Sequence, residues 1–90
     1  MRILLIEDDP VLGMAVRDQI VADGHSVDWI MRLVQATDAI HAAAYDLILL
    51  DLMLPDGRGL DFLKNCRAAG DVTPVIIRLP AIRSLTASLV

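Results

Sequence analysis

Three carboxylates at the ends of two apolar runs are the residues of this chain best placed to do chemistry. Leu47-Ile48-Leu49-Leu50 leads straight into Asp51, and Arg2-Ile3-Leu4-Leu5-Ile6 leads into Glu7-Asp8-Asp9. A short apolar run bounded by turn residues reads as a buried strand of the parallel type. Glu7, Asp8 and Asp51 then stand where core strands end, and ligands of open parallel sheets bind just beyond those carboxyl ends. If the two strands are neighbours, the acids converge and repel one another unless protons or a cation neutralise them. A hard divalent cation suits that task. Mg2+ takes one or two carboxylates, keeps several waters and leaves room for a phosphoryl oxygen.

The elements that must position these acids follow from the pattern along the chain. Residues 2–6 read as the first strand. Asp9 is expected to cap a helix with Pro10 at its first position. Leu12, Val16 and Ile20, with Ala15 beside them, give that helix one apolar face, and Gly24 is expected to end it in a left-handed conformation. Ser26 to Ile30 alternates and reads as a second strand nearer an edge, with Trp29 partly buried. Leu33, Ala36, Ile40 and Ala43 have helical spacing over residues 33–43.

Asp46 to Asp51 reads as the third strand. Pro55 to Gly59 reads as a loop, with Asp56 as a turn residue. Leu60 to Ala69 reads as a third helix with Leu60, Leu63 and Cys66 inward. Thr73 to Ile77 begins a fourth strand. The alternation predicts an α/β fold, a parallel sheet with right-handed crossovers and helices on both faces.

The bulk numbers agree with one small domain. The chain has 90 residues, 56% of them apolar and only 3% aromatic, so the core is aliphatic and the composition argues against disorder. A net charge of −4 argues against direct nucleic acid binding through phosphate contacts. The single cysteine, Cys66, excludes an internal disulfide and reads as core. No signal peptide and no membrane-length apolar run is expected, which fits a cytoplasmic protein. His25 and His41 lack partners at metal-ligand spacing, so solvated or capping roles are expected of them.

These residues together carry a family resemblance. Met1 to Ile77 resembles a response-regulator receiver domain of two-component signalling, in the branch that precedes a winged-helix DNA-binding domain. The matching stretches are Ile-Leu-Leu-Ile-Glu7-Asp8-Asp9, Asp23-Gly24-His25, Tyr45-Asp46-Leu-Ile-Leu-Leu-Asp51, Leu54-Pro55-Asp56-Gly57 and Thr73-Pro74-Val75. The resemblance implies that Asp51 is the phosphoacceptor. It implies that Glu7, Asp8 and Asp51 hold Mg2+, with the backbone carbonyl of Met53 as a further ligand. It also implies a flavodoxin-like, doubly wound parallel sheet, here incomplete, with about four strands and three helices in the order 2-1-3-4, a sensor histidine kinase as partner, and a signalling rather than an enzymatic role.

The chain departs from that family after Ile77. Members have a Ser or Thr at the end of strand four, where this chain has Arg78-Leu79-Pro80. They have a Lys after strand five, whereas no Lys follows Lys64 here, and no acid follows Asp71. The fourth helix, fifth strand, fifth helix and output domain are expected to be absent. Residues 1–77 thus read as the receiver part and 78–90 as a divergent tail. A reading frame shifted by one base permits Ala-Arg-Asp-Pro-Leu-Ala-Asp-Arg-Val-Ala-Gly from Leu79 onward, a receiver-like continuation, so the tail is expected to be frameshifted.

Strand four is then expected to be an open edge and a route to self-association, because it carries a central-strand pattern. The functional classes are three. The first is a phosphoaccepting domain that ancestrally controlled transcription. The second is a truncated, non-switching module that binds a kinase or another receiver. The third is a nucleotide- or flavin-binding protein, disfavoured because no Gly-rich phosphate loop follows strand one.

Overall fold

Each apolar run becomes a strand of one sheet. The structure, a computed structural model, describes residues 1–78 and 87–89. Its elements are β1 (Arg2–Ile6), α1 (Pro10–Ala22), β2 (Ser26–Ile30), α2 (Leu33–Ala42), β3 (Leu47–Asp51), β4 (Met53–Leu54), β5 (Gly57–Arg58), α3 (Gly59–Ala68), β6 (Val75–Arg78) and β7 (Ala87–Leu89). The sheet runs β2-β1-β3-β6-β7. Its first four members are parallel, in the order expected from the sequence. β4 and β5 form a small antiparallel ladder of their own.

Strand side chains alternate between faces, and this alternation divides the core. Leu4, Ile6, Ile48, Leu50, Val75 and Ile77 point to one side and pack with Ala36 of α2 and with Phe62, Leu63 and Cys66 of α3. Ile3 and Leu5 are buried on the other face, as is Ile20 of α1. The sheet is therefore wound on both sides; Asp51 closes β3, and Glu7 and Asp8 follow directly on β1.

The ends of α1 follow the sequence signals. The Asp9 carboxylate accepts the N–H groups of Val11 and Leu12 at 2.9 and 3.3 Å, with Pro10 in the first turn. Gly24 takes φ of 88° just past the helix end, the conformation for which glycine has no steric cost.

Three expectations are corrected. Leu60 is exposed, because Gly59, Phe62, Leu63 and Cys66 form the inward stripe of α3 at 3–4 spacing and turn Leu60 aside. Asp56 does more than make a turn. Its carboxylate accepts the N–H groups of Leu33 and Val34, so it caps α2 from a distance. Strand four is not an open edge. β7 pairs with β6 in antiparallel fashion, with Ile76, Ile77 and Arg78 opposite Leu89, Ser88 and Ala87. This pairing takes up backbone groups that an unpaired β6 would present to other chains, so the edge on this side of the sheet is β7 and not β6.

The apolar face expected of α1 is covered only in part, and Ala15 is exposed. Ile20 is buried, while Leu12 and Val16 are half-buried. Val16 lines a cavity of about 330 Å³ together with Leu5, Leu49 and Ile76. Leu79 and Pro80, part of the proposed tail, lie outside the described residues.

Candidate metal and phosphoryl site

The parallel register of β1 and β3 brings the acids together. Ile6 pairs with Leu50, so Glu7 and Asp51 emerge side by side one residue further on. Ligand oxygens from Glu7, Asp8 and Asp51 all lie within 4.8 Å of one another. Glu7 and Asp51 are buried, at 2% and 5% exposure, and Asp8 is half-buried. Buried carboxylates are costly without a compensating charge, so this cluster calls for a cation.

Local contacts fix Glu7 in place. Its N–H donates to the Ile30 carbonyl at 3.0 Å, extending the β1–β2 ladder by one step. Its carbonyl accepts the Trp29 indole N–H at 2.9 Å, and its carboxylate accepts the Asp9 N–H at 3.2 Å. The indole is packed so closely against α1 that a Cβ at Gly13 would fall 2.2 Å from its ring. Gly59 has a similar role beneath Asp51. A Cβ there would meet the Asp51 carbonyl oxygen at 2.5 Å, and the Gly59 N–H donates to the Leu52 carbonyl at 2.8 Å.

One participant was not foreseen as part of the site. Arg78 stands opposite Asp51 in the β3–β6 register. Its guanidinium forms an ion pair with the Glu7 carboxylate and lies 3.7 Å from Asp51 Oδ2. Burial lowers the pKa of this guanidinium from its usual value, yet arginine remains charged at any physiological pH. The sequence signalled only that Arg78 replaces a family pattern. Its place beside Glu7 depends on pairing between strands distant in sequence.

The other singled-out residues lie apart from this rim. The Met1 amino group contacts His25 Nδ1 at 3.0 Å, and His41 is exposed. Cys66 is buried in the core, and burial raises its thiol pKa. Met53 lies in β4, directly after Leu52. At the opposite end of the sheet, Asp28 accepts from the Tyr45 hydroxyl at 2.6 Å and from Arg2 at 2.9 Å.

A five-stranded α/β sheet with a carboxylate cluster at its strand ends defines a receiver-like signalling domain. The sequence model described as "Response regulator receiver domain" matches residues 3–79, and the chain belongs to that family, a signalling module and not an enzyme class. It is 43% identical over 77 residues to the transcriptional regulatory protein QseB of Escherichia coli O157:H7, covering 86% of this chain and 35% of that one. The response regulator protein PmrA of Pseudomonas aeruginosa gives the same identity and coverage. The chain thus spans about a third of the length of these curated relatives.

Among solved structures, the non-phosphorylated HemR receiver domain of Leptospira biflexa matches with a TM-score of 0.81 and 33% identity. That match covers 87% of this chain and 63% of that one. The MaeR response regulator bound to beryllium trifluoride matches with a TM-score of 0.84 and 28% identity, over 92% and 70% of the respective chains. Among the described residues, no helix is long and apolar enough to cross a membrane.

Proposed function

We propose that this chain is the phosphoaccepting part of a two-component response regulator, with Asp51 as the acceptor. The observation that carries the reading is the convergence of Glu7, Asp8 and Asp51 within 4.8 Å at the ends of two adjacent core strands. The donor set is carboxylate oxygen throughout, which is the chemistry Mg2+ prefers. Glu7, Asp8 and Asp51 would hold the ion, with the Met53 backbone carbonyl as a further ligand. Bound there, Mg2+ supplies charge neutralisation for the phosphoryl oxygens.

The remaining work falls to the chain itself. An Asp51 carboxylate oxygen attacks the phosphorus of a phosphohistidine on a sensor kinase. The new O–P bond makes an acyl phosphate, the P–N bond breaks, and its electron pair returns to the imidazole. β3 fixes the nucleophile, and Gly59 leaves room for the backbone beneath it. Relatives such as QseB are named as transcriptional regulatory proteins, which supports an ancestral role in transcription control in the cytoplasm.

Mass spectrometry after incubation with Mg2+ and a small acyl phosphate tests the assignment. One added phosphate, absent from Asp51→Asn, is expected, and equal labelling of that variant would sink it. A second reading, a non-switching module that binds a kinase without productive output, is favoured by Arg78-Leu79-Pro80 standing where the family has its Ser or Thr. Kinase binding by a chain that takes up no phosphate would select it.

A further inference from the structure

We propose that Arg78 is a built-in counter-ion that competes with Mg2+ for the Glu7–Asp51 carboxylates, so that the site is masked until the guanidinium is displaced. The inference rests on the reading of that cluster as the Mg2+ site.

The argument begins with position. Arg78 is the last residue of β6 and pairs in register with Asp51, the last residue of β3. Neighbours in register on parallel strands point to the same face. The Arg78 side chain is thereby sent to the rim where the acids collect, and it makes the ion pair with Glu7 while approaching Asp51 Oδ2.

Occupancy follows from charge and burial. The Glu7 side chain is 2% exposed and that of Asp51 is 6% exposed. Carboxylates that deep need a cation, and truncating one partner of a buried pair leaves an uncompensated charge. Arg78 is only 20% exposed, so its charge is also largely withdrawn from water and committed to this contact.

Exclusion follows from geometry. Mg2+ demands near-octahedral oxygens at about 2.0–2.1 Å. The Glu7 carboxylate engaged by Arg78 belongs to the same cluster that would supply those oxygens. Arg78 already supplies a positive charge at that carboxylate, so a dication entering the cluster meets a like charge and a partly neutralised set of donors. Arg78 thus does by charge what a metal would do, without leaving the open coordination positions that a phosphoryl group needs.

The only tryptophan of the chain reports on this site, because the Trp29 indole N–H is bonded to the Glu7 carbonyl. Mg2+ is titrated against the wild-type chain, Arg78→Gln, Arg78→Thr and the control Lys64→Gln, which removes an exposed positive charge elsewhere. Trp29 emission and displacement of Mn2+, read by electron paramagnetic resonance, give the affinity. One charge within a few ångströms moves an ionisation by about one to three powers of ten. Both Arg78 variants should therefore bind Mg2+ at least about tenfold more tightly than the wild type and Lys64→Gln.

The metal-free variants should melt lower than the wild type and recover with MgCl2. Equal affinity in all four chains overturns the masking role and leaves the metal site standing. No Mg2+ response in any chain overturns the metal site and the masking together. NMR of the wild type needs no variant to fold. The Arg78 side-chain Nε–H resonance should move toward a solvated position at saturating Mg2+, and a shift at Trp29 without one at Arg78 overturns the proposal.

Discussion

The Asp56 carboxylate accepts the backbone N–H of Leu33 at 2.8 Å, across 23 residues of chain. It takes the Val34 N–H at 3.1 Å as well. These are orphan donors of the first turn of α2, and the helix's own preceding residue, Arg32, makes no side-chain cap. The turn that follows the site strand β3 is therefore tied to the start of α2. Asp56→Ala should lower the melting temperature by a few degrees, while Asp56→Asn, which keeps an acceptor, should lower it less. Circular dichroism melts of the two variants decide this, and equal melting of all three chains counts against the cap.

Acid should weaken the fold. The Asp28 carboxylate is held below its usual pKa by the Tyr45 hydroxyl and then by Arg2. Asp56 is held low by the Leu33 and Val34 N–H groups, and Asp71 by the Thr73 hydroxyl and then the Thr73 N–H. A carboxylate whose folded pKa is depressed contributes stability above its unfolded pKa, about 3.9 for Asp. That contribution is lost as pH falls through the folded value. Urea midpoints should hold steady from pH 7 to 5 and fall steeply below 4. Asp28→Asn combined with Asp71→Asn should flatten part of the fall.

Two glycines should resist alanine. Gly13→Ala would place a methyl 2.2 Å from the Trp29 ring, an overpacking that costs about 1–3 kcal/mol. It should also shift Trp29 emission, as the indole gives up its bond to Glu7. Gly59→Ala meets backbone, the Asp51 carbonyl at 2.5 Å, and backbone yields less than a side chain. This variant should lose both stability and Asp51 labelling, and unchanged labelling in a folded Gly59→Ala chain would falsify the support assigned to that glycine.

We further propose that residues 78–90 come from a shifted reading frame. Removing a single T from ATC-CTG-ACT-G, where the last G opens the next codon, gives ATC-CGA-CTG, which reads Ile-Arg-Leu as found at 77–79. The restored run, Val-Ile-Ile-Leu-Thr-Ala-Arg-Asp, brings back a Thr at the end of strand four. Sequencing the gene checks this. The downstream DNA, read in the shifted frame, is expected to encode a fifth strand, a Lys-Pro loop and a DNA-binding domain.

What was legible in the sequence was whatever is local. Apolar runs, the Asp9-Pro10 start and Gly24 each declare themselves within a few residues, and they place Glu7, Asp8 and Asp51 at strand ends; that the two strands are neighbours came from the family resemblance. Asp56 and Arg78 were not legible in their full roles, because their partners lie far off in the chain. Asp56 reads as a turn residue until α2 is seen to begin beside it. Arg78 reads as a lost motif until the β3–β6 register sets it against Asp51. Leu60 was misplaced because a three-residue spacing drifts around a helix of 3.6 residues per turn.

The pairing of β7 with β6 bears on how such a chain can persist. Ladder hydrogen bonds join main-chain groups, which every residue but proline offers in full. A segment needs no particular side chains to cover an edge in this way, only an extended backbone and a route back. Three residues, Ala87–Leu89, suffice here. Covering a strand in this way is an undemanding task, whereas the convergence of Glu7, Asp8 and Asp51 depends on which residues stand at the strand ends.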